Sequence, residues 1–114
     1  MKNYIGMAFL ALATLPFGAA ATTPQGDPAA GAEKAQSCHA CHGSDGLSIN
    51  TMWPNLAGQK AGYLRKQMID FRDGRRTDPV MVPLTTNLSD QDIADIAAHF
   101  SAMSGVARPV PKHY

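Results

Sequence analysis

The sequence lacks several features that would place it in a common class of protein. Cysteine is scarce, with two in 114 residues. Neither charge predominates, because ten Lys and Arg residues are balanced by nine Asp and Glu residues, so no general attraction to nucleic acid or to an anionic membrane is expected. No apolar run reaches the roughly 20 residues of a membrane-spanning helix. The function must therefore come from local motifs in one small domain.

Residues 1–21 have the layout of a secretory signal peptide. Lys2 precedes an apolar run from Ile5 to Leu15, and small residues follow. We predict cleavage near Ala20 or Ala21, export to the periplasm and no membrane insertion after cleavage. An uncleaved N-terminal anchor is the alternative.

After cleavage, one small domain is expected, with a formal charge near zero. We divide the remaining chain into a flexible lead-in at residues 22–26, the domain at residues 27–105 and an irregular tail at residues 106–114.

Three main helices are predicted and no strands. The first begins at Pro28, with Asp27 as its N-cap, and reaches the cysteines. The second covers residues 60–73. The third follows Ser89, which has Asp92 three residues later in the pattern of a capping box, and it closes at Gly105. The apolar faces of the second and third helices are predicted to contain Tyr63, Leu64, Gln67, Met68 and Phe71, and Ile93, Ile96, Ala97, Phe100 and Met103.

Two long loops separate these helices. Pro79 and Pro83 lie in the second loop, and we expect them to hold it extended, since proline disfavours both helix and central strand. Loops of this length are unusual in a compact domain. They predict a large ligand between the helices.

Charged residues are unevenly distributed. Asp90, Asp92 and Asp95 are expected to compensate a helix dipole. The basic residues between positions 60 and 76 form either a solvated surface or a docking surface. Arg75 and Arg76 are the candidates to pair with acidic groups of a bound cofactor or to steer an acidic partner.

The stretch "CHACH", residues 38–42, contains both cysteines. A disulfide between them would close a very small loop and stabilise little. A thioredoxin-like pair would need strands, and a structural zinc site would need a second close pair of ligands. C-x-x-C-H is the pattern of covalent haem c attachment, in which Cys38 and Cys41 form thioethers and His42 binds iron.

A sixth iron ligand is expected on the other side of the haem. Met81 lies between prolines, far along the sequence from His42, and we predict that it is this ligand. Met68 and Met103 are expected to pack in the core, and Met52 lies in the first loop. His99 is the competing ligand, with a structural role as its alternative.

Four blocks, "CHACHGSDGLS", "WPNLAGQ", "YLRKQMIDFRDGRR" and "MVPLTTNLSDQDIADIAAHF", resemble the small bacterial class I c-type cytochromes. The resemblance is closest to the cytochrome c-553 group and to the single domains of cytochrome c4. It implies an all-α cytochrome c fold, with three main helices and long loops around one covalent haem. It also implies that the Pro54 carbonyl accepts a hydrogen bond from His42, and that Gly31 lets the first and last helices cross closely, near Ala97 and Phe100.

The resemblance implies a periplasmic one-electron carrier and no enzyme, with haem c and its iron as cofactor. It further implies transient redox protein partners, no nucleic acid partner and a monomeric state. Two alternatives remain open. One is a haem enzyme or gas-sensing domain with an open sixth site, and the other is a haem subunit of a larger dehydrogenase or oxidase complex.

Overall fold

The computed structural model of the protein describes residues 22–105, where helices are joined by loops and no strand is present. Five helices follow one another: α1 (Pro28–Lys34), α2 (Gln36–His42), α3 (Ala61–Arg72), α4 (Met81–Thr85) and α5 (Asp90–Ala102). The all-α prediction is confirmed. The predicted signal peptide and the tail lie outside the described residues.

The first predicted helix is divided in two at Ala35. Asp27 caps α1 by accepting a hydrogen bond from the Ala29 N–H at 2.8 Å, and Pro28 occupies the first helical position. Ala35 has φ −83° and ψ 6°, outside helical geometry, and its side chain is fully buried. The chain therefore changes direction at Ala35 before α2, which carries both cysteines and His42.

The core forms where α3 and α5 pack together, and α1 packs along the other part of α5. Its central side chains are Ala35, Leu64, Ile96, Ala97 and Phe100. Leu64, Ile96, Ala97 and Phe100 belong to the predicted apolar faces, whereas Ala35 does not. Tyr63 was placed on the buried face of α3, but it is 51% exposed, because α3 presents only a narrow face around Leu64 and Phe71 to the core.

The N-terminus of α5 is fixed by the predicted capping box. The Ser89 side chain accepts a hydrogen bond from the Asp92 N–H, and the Asp92 carboxylate accepts one from the Ser89 N–H. Hydrogen bonds from Lys34 and then from Ser89 lower the pKa of Asp92 to about 2.

Helix α5 ends at Ala102, so Gly105 does not close it as predicted. Gly105 instead lies against Ala57.

The prediction that Pro79 and Pro83 hold the second loop extended is wrong. Residues Met81–Thr85 form α4, a short helix. Asp78 initiates it, because its carboxylate accepts hydrogen bonds from the N–H groups of Val80 and Met81, each at 2.8 Å. Pro83 is tolerated because it lies in the first turn of the helix, where a backbone N–H has no partner within the helix.

Helices α1 and α5 cross at very short distance around Gly31. A Cβ atom added to Gly31 would lie 2.0 Å from the carbonyl oxygen of Asp95 and 2.8 Å from the Cβ of His99. The close crossing that the resemblance implies is present. Its position differs from the expectation, since Gly31 faces Asp95 and His99 rather than Ala97 and Phe100.

Asp95 is buried at this crossing and does more than compensate a dipole. Its carboxylate accepts hydrogen bonds from the Asp27 N–H at 2.8 Å, from Lys34 at 2.7 Å and from Gln91 at 2.8 Å. The bond from Lys34 is the foremost cause that lowers the pKa of Asp95. One buried side chain thus joins the start of α1 to the middle of α5.

The predicted lead-in also contacts the domain. Arg65 donates a hydrogen bond to the Pro24 carbonyl, and Gln91 donates one to the Gln25 carbonyl at 2.9 Å. A Cβ atom on Gly26 would lie 2.1 Å from the Ala94 carbonyl oxygen. Residues 24–26 therefore pack against α3 and α5.

The basic residues predicted as a cluster are extensively paired. Arg75 binds Asp70 at 2.9 Å and Asp73 at 3.2 Å, and Arg72 binds Asp90 at 2.7 Å. Arg76 lies 4.4 Å from the centre of the Phe71 ring.

Within residues 22–105, every helix falls short of the length and apolar character that crossing a membrane requires.

Candidate haem site

Cys38 and Cys41 lie one turn apart on α2 and neither forms a disulfide. Helical positions three apart hold their Cβ atoms roughly 5–6 Å from each other, whereas a disulfide needs about 3.8 Å. Burial raises the pKa of the Cys38 thiol, unlike the low-pKa thiolates of redox pairs. The helix therefore presents both thiols along one side, and burial favours the protonated form of Cys38.

His42 is the last residue of α2, and its side chain is only 6% exposed. Its Nδ1 lies 2.8 Å from the Pro54 carbonyl oxygen. This is the contact that the resemblance implies for these two residues. With Nδ1–H donating to Pro54, the ring is held in one orientation and Nε2 is the nitrogen left to bind a metal.

The loop that carries Pro54 is held by backbone and side-chain hydrogen bonds. The Gly46 carbonyl accepts from the N–H groups of Leu56 and Ala57, at 2.8 and 3.0 Å. Ser48 donates to the Cys41 carbonyl at 3.1 Å. The Gly46 bonds join the two ends of the loop to each other, and the Ser48 bond ties the loop to α2, which helps to fix the Pro54 carbonyl beside His42.

Met81 is the first residue of α4 and is partly buried. The hydrogen bond from its N–H to Asp78 fixes its backbone, and it is the foremost cause that lowers the pKa of Asp78. Thr85 is buried and its hydroxyl donates to the Met81 carbonyl at 3.0 Å. The backbone of Met81 is therefore held on both sides.

The other candidate iron ligands have different surroundings. Met68 and Met103 pack against the core, as predicted, and Met52 is 82% exposed. His99 contacts His39 of α2, with their Nε2 atoms 3.2 Å apart. Its ring is thus engaged in a contact between helices.

The donor set fits haem c. Two thiols precede an imidazole whose Nδ1 is already bonded, so that Nε2 is available, and a thioether is available on a separate helix. Helix α2 packs against α1 and α4 packs against α3, and among the described residues α2 and α4 share no extensive contact.

Two features of this region are absent from the sequence-based prediction. The contact between His39 and His99 joins residues 60 positions apart, and no pattern in the sequence indicates it. The capping of α4 by Asp78 has a sequence signal, since the pair Asp78–Pro79 repeats the pair Asp27–Pro28 that begins α1.

The family model described as "Cytochrome c" matches residues 28–104. Cytochrome c4 of Pseudomonas aeruginosa is 55% identical over 87 residues, which cover 74% of this chain and 43% of that protein. Cytochrome c-554(548) of Halomonas halodenitrificans is 48% identical over 80 residues, which cover 68% of this chain and 96% of that protein.

A solved structure of a similar protein has the same fold. The crystal structure of reduced recombinant cytochrome c4 from Pseudomonas stutzeri has a TM-score of 0.68 and 42% identity, over 71% of this chain and 47% of that chain. The present chain therefore spans about half the length of these cytochrome c4 relatives.

Proposed function

Because the chain belongs to the cytochrome c family, we propose that it is a periplasmic one-electron carrier whose haem iron is bound by His42 and Met81. The family, the cytochrome c fold and the haem c cofactor with its iron, all expected from the sequence, are confirmed by these matches. The buried His42 ring, directed by Pro54 and preceded by two thiols, is the observation that carries the proposal.

Cys38 and Cys41 would hold the cofactor as thioethers, and His42 would bind its iron through Nε2. Haem c supplies a single iron that alternates between the ferric and ferrous states. The hydrogen bond from Nδ1–H to the Pro54 carbonyl makes the His42 Nε2 a stronger ligand for iron and prevents the ring from turning. The apolar core around Phe100 excludes water, which disfavours the extra positive charge of the oxidised state.

Met81 would bind the iron from the opposite side. A thioether is a soft ligand that stabilises the reduced state and raises the reduction potential. The hydrogen bonds of Asp78 and Thr85 hold the Met81 backbone in place. If His42 and Met81 both bind the iron, no coordination position would be left for a substrate, and this favours a carrier over an enzyme or a gas sensor.

The surface beside Cys41 fits an uncharged redox partner. Residues 46–59, here called the uncharged loop, contain no Asp, Glu, Lys or Arg. Ile49 is 93% exposed and Met52 82% exposed in this loop. A cavity of about 440 Å³ opens there, and Cys41, Ile49 and Trp53 are among its lining residues. We propose that redox proteins meet the chain here through apolar contact.

Electron self-exchange between oxidised and reduced copies tests this surface without any other protein. We expect the exchange rate, measured by NMR line broadening, to change less than about tenfold between low and high salt, because charge steering is what gives larger effects. Ile49→Lys with Met52→Lys adds repelling charges to the contact. This double variant should exchange at least about tenfold more slowly at low salt and recover at high salt.

The matched control is Thr77→Lys with Asn87→Lys, which adds the same charge at two exposed positions outside the uncharged loop. Its exchange rate should stay near that of the parent protein. Equal slowing in both double variants would place the contact elsewhere, and so would a loop variant that is not slowed.

A further inference from the structure

His39 and His99 form a direct contact between α2 and α5, here called the histidine pair. Their Nε2 atoms are 3.2 Å apart and their ring centroids 5.4 Å apart. The distance between the two ring centroids is longer than the distance between the two Nε2 atoms by about twice the radius of an imidazole ring. Each Nε2 therefore lies close to the line that joins the centroids, and the two nitrogens point almost directly at each other. This is the geometry of an N–H···N hydrogen bond, in which one Nε2 donates and the other accepts.

Such a contact holds one proton between the two nitrogens but not two. A neutral pair shares the proton of one ring, and a singly protonated pair keeps the same bond and strengthens it with charge. A doubly protonated pair would place two N–H groups against each other. Burial and then the charge of His39 lower the pKa of His99, although a hydrogen bond to the Pro28 carbonyl acts in the opposite direction. The pair therefore carries a charge of zero or one.

Phe100 packs against both rings of the pair. Phe100 is fully buried, and its ring centroid lies 5.6 Å from that of His39 and 5.1 Å from that of His99. Behind His99, the Gly31 crossing brings the backbone of α1 against α5. Both histidines are half-buried, and both rings contact the buried Phe100 ring.

Other charged groups lie on the segments around the pair. Lys34 is bound to Asp92 and Asp95, and Asp45 lines the same cavity as His39. The remaining titratable groups on α1 with its Asp27 cap, on α2, α3 and α5 are Asp27, Glu33, Cys38, Cys41, His42, Tyr63, Arg65, Lys66, Asp70, Arg72 and Asp90. Among the causes that shift the pKa of His99, His39 is the one charged side chain.

His39 lies between the two cysteines that attach the cofactor, so any charge on the pair lies close to the redox centre. We propose that the histidine pair is a redox-linked proton site, which takes up a proton from water when the protein takes an electron from its donor. One electron enters from a donor protein, which is oxidised, and up to one proton enters from solvent. This inference rests on the proposed one-electron function.

The direction of the linkage follows from electrostatics. An added electron makes the surroundings of the pair more negative, so the reduced protein binds the proton more tightly than the oxidised protein. The reduction potential should therefore fall as pH rises through the titration of the pair, and it should level off on either side. Imidazoles titrate between about pH 5 and pH 8. We expect the fall in reduction potential, here called the step, in that interval.

The experiment is a redox titration of the holoprotein at a series of pH values. Four proteins are compared with the parent: His39→Gln, His99→Gln, the double variant, and His113→Gln as a matched control that removes a histidine outside the described residues. We expect the step to move to a different pH in each single variant, because the remaining ring has lost its hydrogen-bond partner, and to be lost in the double variant. The control should keep the step.

A second measurement does not depend on variants that fold. NMR titration of the imidazole resonances in the parent protein should show both rings of the pair titrating together, at higher pH in the reduced state. A step that survives unchanged in the double variant, or ring titrations that are equal in the two redox states, would overturn the inference. If the protein has no reversible one-electron potential at any pH, the proposed function itself fails.

Discussion

Replacing Gly31 with alanine is expected to prevent the chain from accumulating as a folded, haem-loaded protein at normal yield. The new Cβ atom would lie 2.0 Å from the Asp95 carbonyl oxygen. That oxygen is part of the α5 backbone and cannot move aside like a flexible side chain, so the two helices must separate. Overpacking in a core commonly costs about 1–3 kcal/mol, and a backbone clash of this size should reach about 3 kcal/mol or more. Thermal unfolding and the yield of covalently loaded protein measure the effect.

Gly62→Ala is the matched control, because a Cβ atom on Gly62 would meet nothing within 4 Å. Gly62 lies in α3, where alanine is the better helix former, and a gain of about 0.5 kcal/mol is expected. If Gly31→Ala were as stable as Gly62→Ala, the close crossing of α1 and α5 would not exist as described.

Replacing Met81 with alanine should open the sixth coordination position and leave the helix that carries it intact. The bonds from the N–H groups of Val80 and residue 81 to Asp78 involve the backbone and do not require the methionine side chain. Carbon monoxide should then bind readily to the ferrous variant at neutral pH, whereas the parent protein should bind it poorly. The reduction potential should fall by on the order of 0.1 V or more, within the roughly 0.8 V range set by axial ligands.

Met52→Ala is the control for this experiment, because the Met52 side chain is exposed in the uncharged loop. It should leave both the carbon monoxide reaction and the potential unchanged. A Met81→Ala protein that retains the potential and the closed site of the parent would show that another residue is the sixth ligand, and variants at His99 and Met68 would then be examined in the same way.

Much of the helical framework follows from local patterns. Helices α3 and α5 have apolar residues at helical spacing, and the capping box at Ser89 marks the first residue of α5. The position of His42 directly after Cys41 is a feature of the sequence itself. These features are local, so neighbouring residues alone contain the information that specifies them.

Helix α4 is absent from the sequence-based prediction because of the two prolines near it. Pro79 and Pro83 are expected to bar a helix, but each falls where a helix does not need its N–H: one beside the capping Asp78 and the other within the first turn. The pair Asp78 and Pro79 marks the start of this helix in the sequence, because the same pair, Asp27 and Pro28, predicts the start of the first helix.

Other features depend on contacts between distant parts of the chain. Asp95 has the appearance of an acidic residue near a helix start, yet it is buried because Asp27, Lys34 and Gln91 converge on it. The contact of His39 with His99 likewise needs α1 and α5 to cross closely. Neither could be read from the sequence, because the crossing that creates them is a tertiary feature.

Reductive titration of the purified protein tests the central claim most directly. An electron carrier with one haem bound by an imidazole and a thioether should accept one electron per chain, reversibly, with a midpoint potential above zero. A negative midpoint potential would contradict the binding of Met81, and a chain that accepts no electron would contradict the function.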